Sequence, residues 1–496
     1  MTRYLIRSIL LLLLLPLWNG ARAEKVEMTL DQVIDAARLN SVDAAVALNN
    51  LRSAYWQYRS YRADLLPEVN FNAALPSYFK RYSSYQQSDG TYTFVRSSNL
   101  SLSGTLSMSQ KLWFSGGTIS LQTSFDMMRQ LGRGAYSRYM SVPALLTLNQ
   151  PLFAANSVKW NRRIEPLRYR EAKAQFLSQT ETVAMSAISN FFNLVLAIEN
   201  LEIARQNLAN DEKLYEVAVA KHNMGKISEN DVRQMHLNVL NSRSALTNAE
   251  TDRTNCQFRL LSFLGIEEED MEIVPVVPDR FPRVDLRFNY VLEKALENNR
   301  FAYNQRRRQI EADYNVAQAK GNLRSINVYA QVGLTGTGDV PSAAYSPLKD
   351  NQVVEIGVSI PLIDWGKRKG RVKVAESNRE VVENTLRQEA TDFRQNLFVL
   401  VERFNNQQQQ VEIAALADTI ADQRYKTNVE TFMIGRISTL DLNDSQTSRD
   451  SQHTAYYNAL FYYWYYYYQI RSIALWDFIT DSSIEADFDR LIKGGK

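Results

Sequence analysis

The chain of 496 residues carries 57 lysines and arginines, 54 aspartates and glutamates, three histidines and one cysteine. A single cysteine excludes an internal disulfide and a thiolate metal cluster, and His222, His236 and His453 stand outside any ligand spacing such as His-x-x-x-His. With the three arginines of the first 23 residues set aside, basic and acidic totals are equal at 54, so nothing in the charge points to nucleic acid.

Residues 1–23 read as a secretory signal. Arg3 and Arg7 form its basic start, Ile9 to Leu15 its apolar core, and Ala21-Arg22-Ala23 a small-x-small cleavage site. The apolar core is too short to span a bilayer as a helix. No cysteine follows the expected cut, so no lipid anchor is expected, and Cys256 is expected to be a small buried side chain. No later segment approaches 18 apolar residues, so a membrane crossing would have to be made by strands.

Glycine and proline divide the rest sharply. Neither occurs in the runs Arg22–Leu66, Leu167–Met224, Lys226–Leu264, Arg283–Lys320, Arg371–Ile434 or Arg436–Lys493, and these read mostly as helix. Arg371–Ile434 alone would make about 96 Å of helix. Its apolar positions step by four and three through Leu386, Ala390, Phe393, Leu397, Leu400 and Phe404, then Val411 and Ala414. That is a coiled-coil seam. Ala184, Ile188, Phe191, Val195 and Ile198 repeat it in the earlier run.

Between the helical runs the period changes to two. Val69 to Leu75, Leu100 to Phe125, Leu146 to Leu152, Ile326 to Leu334 and Val354 to Leu362 alternate apolar with polar residues, as strands of a transmembrane barrel do. A half-buried sheet in a soluble domain would show the same alternation. Tyr78 to Arg96, Met128 to Ser141 and Gly336 to Asp350 read as long loops.

Two glycine turns close the helical runs. Met224-Gly225-Lys226-Ile227-Ser228-Glu229-Asn230-Asp231 returns 210 positions later as Ile434-Gly435-Arg436-Ile437-Ser438-Thr439-Leu440-Asp441. In each, glycine suits a left-handed helix end, and Ser-x-x-Asp is a capping box for the next helix. Pro151-Leu152 and Pro361-Leu362 share the offset, and Val33 to Ser41 resembles Val291 to Asn299. The expected domains are therefore a signal (1–23) and a first repeat (24–282) with strands in 67–153 and a turn at 225–228. A second repeat (283–480) has strands in 325–363 and a turn at 435–438, and a tail (481–496) follows.

With the Gln150-Pro151-Leu152-Phe153 and Ile360-Pro361-Leu362-Ile363 junctions and the paired Gly-x-Ile-Ser-x-x-Asp turns, the mature chain resembles the TolC-like outer membrane efflux family. The resemblance implies a mixed α and β membrane protein: a trimeric outer-membrane β-barrel continued by a long α-helical coiled-coil barrel through the periplasm. It implies a homotrimer in outer-membrane lipid, with a periplasmic adaptor and an inner-membrane pump as partners. The chain would be an exit duct for small molecules or polypeptides in a tripartite efflux or type I secretion system. No enzyme activity and no cofactor are expected. Adaptor contact then falls at Gly225, Lys226, Ile227, Ser228, Gly435, Arg436, Ile437 and Ser438, which turn chemistry alone would also explain. The pore gate falls at Asp441 and Asp444. Asp441 is equally the capping acid; Asp444 caps nothing, and its counterpart is Gln234. The family's gate arginine aligns with Ile437, leaving Arg436 as a neighbouring substitute.

The sequence departs from the family's two strands per half. Residues 99–126 add a hairpin, and Gln110-Lys111-Leu112-Trp113-Phe114 repeats the look of the Gln150 junction. Two architectures follow: six strands per chain and eighteen in a trimer if the hairpin joins the barrel, which keeps every long loop on the outer face, or twelve strands with an accessory hairpin, towards which the poor fit of a wider barrel over an unchanged number of helices leans. Tyr462 to Tyr468 read as packing against the connection 279–300, with an aromatic ligand box as the other reading. Asn405 to Gln410 read as a polar stripe facing lumen or solvent. The other class of function is a periplasmic coiled-coil scaffold without a pore.

Overall fold

The computed structural model describes residues 24–494 apart from 133, 268–270, 279–280, 324, 360–362 and 435. The signal reading of 1–23, the Ile360-Pro361-Leu362 junction and Gly435 therefore lie outside the described residues. Contacts divide the chain into two bodies, one holding residues up to Leu51, Lys173–Asn299 and Asp392 onward, the other Arg52–Ala172 and Arg300–Thr391.

The first body is helical around one apolar core. Strand β1 (Glu24–Thr29) pairs in parallel with β6 (Met271–Val276), and neither was evident from periodicity. Helix α1 (Leu30–Asn40) stops at Ser41 before α2 (Val42–Ala63); α5 (Phe288–Asn298) stops at Asn299 before α6 (Arg300–Gly321). The two pairs have the same lengths, 11 and 22 residues. Helices α3 (Ser157–Asn223) and α7 (Lys367–Met433) both have 67 residues, and each turns back into a shorter helix, α4 (Glu229–Phe263) and α8 (Thr439–Ala474). Helix α3 begins before Pro166 and carries it internally, so the proline did not mark the helix start expected at Leu167.

The expected seams are the core. Ala184, Ile188, Phe191 and Val195 of α3 meet Leu397, Leu400, Phe404 and Val411 of α7, all buried. One stretch of α3 is apolar enough to cross a membrane by composition, but these are the residues responsible and they face other helices. The tyrosine run closes the same core. Tyr463 donates its hydroxyl to the Pro282 carbonyl and stacks 4.9 Å from Phe281 and 5.3 Å from Phe404. It packs on the connection before α5, as its sequence suggested.

The Asn405 run faces water only in part: Asn406, Gln409 and Gln410 are exposed, whereas Asn405, Gln407 and Gln408 are part-buried. Asn405 donates to the Leu286 carbonyl (2.9 Å) and accepts from its amide (3.2 Å). Gln408 does the same with Val284, at 2.8 and 3.1 Å. Two side-chain amides thus stand in for a neighbouring strand and satisfy backbone groups of an irregular connection. Cys256 is only part-buried. A charged group sits deeper: Glu181, 1 % exposed, lies 2.5 Å from Arg38 Nη2 and 3.1 Å from Arg471 Nε, and Arg471 reaches Asp477 at 3.0 Å.

The second body is built on one antiparallel sheet. Its strands are β2 (Glu68–Gln86), β3 (Tyr92–Lys111), β4 (Thr118–Gln130), β5 (Tyr136–Pro151), β7 (Ser325–Gly338) and β8 (Lys349–Ser359), in the order β2-β3-β4-β5-β7-β8. The hairpin of β3 and β4 is therefore inside the sheet, and the accessory placement is corrected. The reason is register. Leu102, Leu106 and Met108 of β3 stand beside Phe71 and Val69 of β2 and Met127 and Leu121 of β4, so the apolar face continues across the insertion without a slip. Much of what read as long loops is strand; only 87–91 separates β2 from β3.

The turn after β3 is fitted closely. Gly116 has φ +77°, and a Cβ on Gly117 would lie 2.9 Å from the Asn149 carbonyl. Gln110 at the end of β3 donates to the Leu65 carbonyl (2.8 Å) and Gln150 at the end of β5 to the Ser115 carbonyl (3.1 Å). Each glutamine also donates to the carbonyl of the next residue. The likeness of the two junctions in sequence is thus a likeness of geometry.

Replacing Glu181 by alanine removes a buried carboxylate from between two part-buried guanidinium groups, leaving Arg38 only Asp35 and Arg471 only Asp477 as acidic partners. We expect a loss of about 3–5 kcal/mol, read as a lowered denaturation midpoint of the full chain in detergent; an unchanged midpoint would show that water replaces the carboxylate.

Candidate gate between the helical hairpins

The site is built on the two turns of the first body. Gly225 has φ +71° with open space around it. Its amide donates to the His222 carbonyl (2.8 Å) and that of Lys226 to the Lys221 carbonyl (2.9 Å), the double bond that ends a helix on glycine. At the second turn the Arg436 amide donates to Thr431 in the same way (3.1 Å). Ser228 with Asp231 and Ser438 with Asp441 form complete capping boxes. Asp441 is thus the capping acid, its carboxyl held below the usual carboxylate range by hydrogen bonds from Ser438.

Of the turn positions, Lys226, Ser228, Arg436 and Ser438 are exposed. Ile227 and Ile437 turn inward instead, against a small cluster of Leu214, Ala218, Met235, Tyr425, Phe432 and Leu442. Lys221 adds a tie between the hairpins, donating to the Phe432 carbonyl at 2.8 Å.

Above this cluster the hairpins meet through polar layers. Asn238 of α4 donates to Asn443 of α8 (3.0 Å). Asp444, one turn past the cap, accepts from Arg424 of α7 at 2.6 Å. The arginine that reaches Asp444 comes from the preceding helix and not from the turn positions Ile437 or Arg436. Counting turns back along the hairpin would have found it. Next, Arg449 lies over Tyr425 at 4.2 Å and bonds Asn207 (2.5 Å) and Asp450 (2.7 Å), all part- or fully buried. Burial pushes the Asp211 carboxyl up, although Ser242 donates to it.

The last layer is His453, set between Glu199 Oε2 and Asp418 Oδ1, each at 3.1 Å. It joins α8 to α3 and α7. The hydrogen bond that the imidazole donates to Glu199, outweighing burial, raises it above its ordinary value; the same bond lowers Glu199. This residue was missed because histidine was weighed only as a metal ligand. Among the described residues no group of His, Cys, Asp and Glu could hold a metal ion.

The model of the outer membrane efflux protein family matches residues 33–266. That is 234 of 496 residues, so the chain resembles the family over just under half of its length. No curated protein sequence matches it. Among solved structures, it is similar to the Campylobacter jejuni CmeC outer membrane channel at 14 % identity and TM-score 0.64, covering 94 % of this chain and 88 % of that one. It is similar to the outer-membrane channel OprN at 15 % identity and TM-score 0.63, covering 90 % and 89 %. The open state of the Neisseria gonorrhoeae MtrE outer membrane channel gives 14 % identity and TM-score 0.56, covering 92 % and 90 %. The family model and these neighbours are of outer-membrane channels, and the likeness to the solved structures establishes the fold of this chain.

The two shifts at His453 fix a pH window. The raised imidazole contributes stability in full below about pH 6.5 and loses it as pH rises through its folded value; the lowered Glu199 contributes above about 4.5 and loses it as pH falls. The difference in unfolding midpoint between wild type and His453→Gln should therefore be largest between those limits and shrink on both sides. A difference independent of pH would assign His453 a packing role only.

Proposed function

We propose that three copies join their sheets edge to edge into one barrel of eighteen strands, continued by the helices as a duct. One observation carries this reading. Phe71, Leu102, Leu106, Leu121, Leu146, Val332 and Ile356 lie on one face of the sheet and are all exposed. The other face carries Asn70, Ser103, Thr105, Ser107, Ser120, Gln122, Thr147, Gln331 and Asn351. An apolar face this extensive suits hydrocarbon outside and water inside. Strands β2 and β8 end the sheet with unpaired edges, and a barrel removes them. Since β2 and β8 run in opposite directions, β8 of one copy beside β2 of the next continues the antiparallel order. Spin labels at Leu102 and Leu121 should report a hydrocarbon environment; an aqueous signal there would favour the scaffold reading.

In this reading the two halves are copies of one unit, supported by the matched helix lengths and the shared offset of 210. Asp444, with Asp441 beside it, forms the gate ring around the axis. The exposed turn residues, with Lys226 and Arg436 foremost, meet a periplasmic adaptor that links the duct to an inner-membrane pump. Small molecules or polypeptides would pass through without chemistry.

In planar bilayers the wild type should conduct poorly, prefer cations and be blocked by multivalent cations from the periplasmic side. Asp444→Ala should lose block and selectivity. Arg424→Ala should keep or strengthen both, because it frees the carboxylate. If the pair were only structural, the two variants would behave alike, with little change in stability from so exposed a pair. For the adaptor, Lys226→Glu with Arg436→Glu should reduce crosslinking and drug resistance while leaving assembled protein in the membrane.

A further inference from the structure

Helices of this chain begin in two different ways. At the hairpin turns, α4 starts with Glu229 and Asp231 and α8 with Asp441, as the positive end of a helix dipole favours. The long helices that start beside the sheet have no acid in their first turn. Helix α7 opens Lys367-Arg368-Lys369-Gly370-Arg371-Val372-Lys373, and α3 has Lys159, Arg162 and Arg163 in its first two turns. Cations at this end of a helix are unfavourable. Among the described residues they are neutralised only in part. Arg368 donates to the Leu323 carbonyl (3.1 Å) and Lys373 pairs with Glu376 (2.9 Å). Asp364 is occupied by the amides of Gly366 and Arg368. Lys367, Lys369 and Arg371 are exposed and form no ion pair among the described residues.

Aromatic rings share this end of the sheet. Strands β3, β5 and β8 finish here and β2, β4 and β7 start here, as Lys111 beside Thr118 and Pro151 beside Asn327 show. Trp113 and Phe114 in the β3–β4 turn are 61 % and 66 % exposed, and Arg162 lies 5.3 Å over the Trp113 ring. Just before the basic run, Trp365 is 95 % exposed with φ +53°, a left-handed backbone rare for so bulky a residue. A strained tryptophan held wholly in water has no account inside the chain. In a headgroup layer, both the ring and the cations have one.

We propose that this rim is a binding surface for anionic phospholipid, with Lys367, Lys369 and Arg371 on the phosphate headgroups and Trp365, Trp113 and Phe114 at the boundary with the acyl chains. The inference rests on the reading of the sheet as a membrane barrel, with which the rim is continuous. Charge complementarity selects the occupant: a zwitterionic lipid offers these three cations no net attraction.

The full mature protein, reconstituted in mixed vesicles, should be examined by electron paramagnetic resonance with spin-labelled phosphatidylglycerol or phosphatidylcholine, which separates motionally restricted boundary lipid from bulk. At low salt, the wild type should hold phosphatidylglycerol in preference at the rim, about fivefold per cation engaged, and molar salt should abolish the preference. Lys367→Gln/Lys369→Gln/Arg371→Gln should restrict both lipids equally, and the corresponding all-arginine variant should keep the preference. Equal restriction of the two lipids by wild type, or an undiminished preference in the glutamine variant, overturns the rim proposal and leaves the barrel standing. No restricted lipid of either kind overturns both.

Discussion

Every backbone amide and carbonyl that enters hydrocarbon must find its partner within protein. In the second body that requirement is met between β2 and β8 by their neighbours, and is left open along the outer edges of those two strands. The alternation of side chains then follows from the backbone. A strand with one face to lipid and one to water has to read in period two, and six of them have to keep a common register. The pairing shifts between Ala74 and Ser77, between Gln122 and Ser124, and between Ser141 and Ala144. None of these shifts moves the apolar set to the wrong face.

The helical body answers a different requirement. Its long helices pack through an apolar seam near Phe404 and Phe191, but nearer the turns the contacts between hairpins become polar. Arg449 bonds Asn207, His453 bonds Glu199 and Asp418, and Asn238 bonds Asn443 across α3, α4, α7 and α8, where hydrocarbon packing would be the alternative. A fully apolar interface would bind more tightly and specify position less well. Hydrogen-bonded pairs have definite partners, so an interface made of them favours discrete arrangements. This is the property that a gate between hairpins needs, and it fits a channel more than a passive strut.

Much of this was legible from residues alone. Glycine followed by Ser-x-x-Asp defined both turns because local capping chemistry decides them, and the structure reproduces both capping boxes and the glycine bond of the first turn. The seam residues Ala184, Ile188, Leu397 and Phe404 were legible because packing of long helices imposes a strict period. What escaped was set by distant partners. Arg424 meets Asp444 and Glu199 meets His453 only after helices are laid side by side, and single-sequence periodicity carries no record of that pairing. Asn405 and Gln408 looked like solvent-facing residues because nothing local shows that a connection 119 or more residues away lacks its backbone partners. The β3–β4 hairpin was misplaced by reasoning about the width of the whole assembly, where register between adjacent strands was the stronger constraint.

The twin glutamines Gln110 and Gln150 have a consequence for how such proteins change over time. They mark two hairpins with equivalent ends, the pattern left when one hairpin is copied beside itself. A hairpin can be added in this way because it returns the chain to the same edge, the same direction and the same inside-outside alternation. A single strand cannot, since it would send every later strand the wrong way and the following helix out of the wrong side. The circumference of this class of pore is therefore quantised, growing by two strands per chain, or about 10 Å of sheet. In the barrel proposed for three copies, such a step would leave the hairpin turns and the Asp444–Arg424 pair untouched, so the mouth would be resized without rewriting the proposed gate.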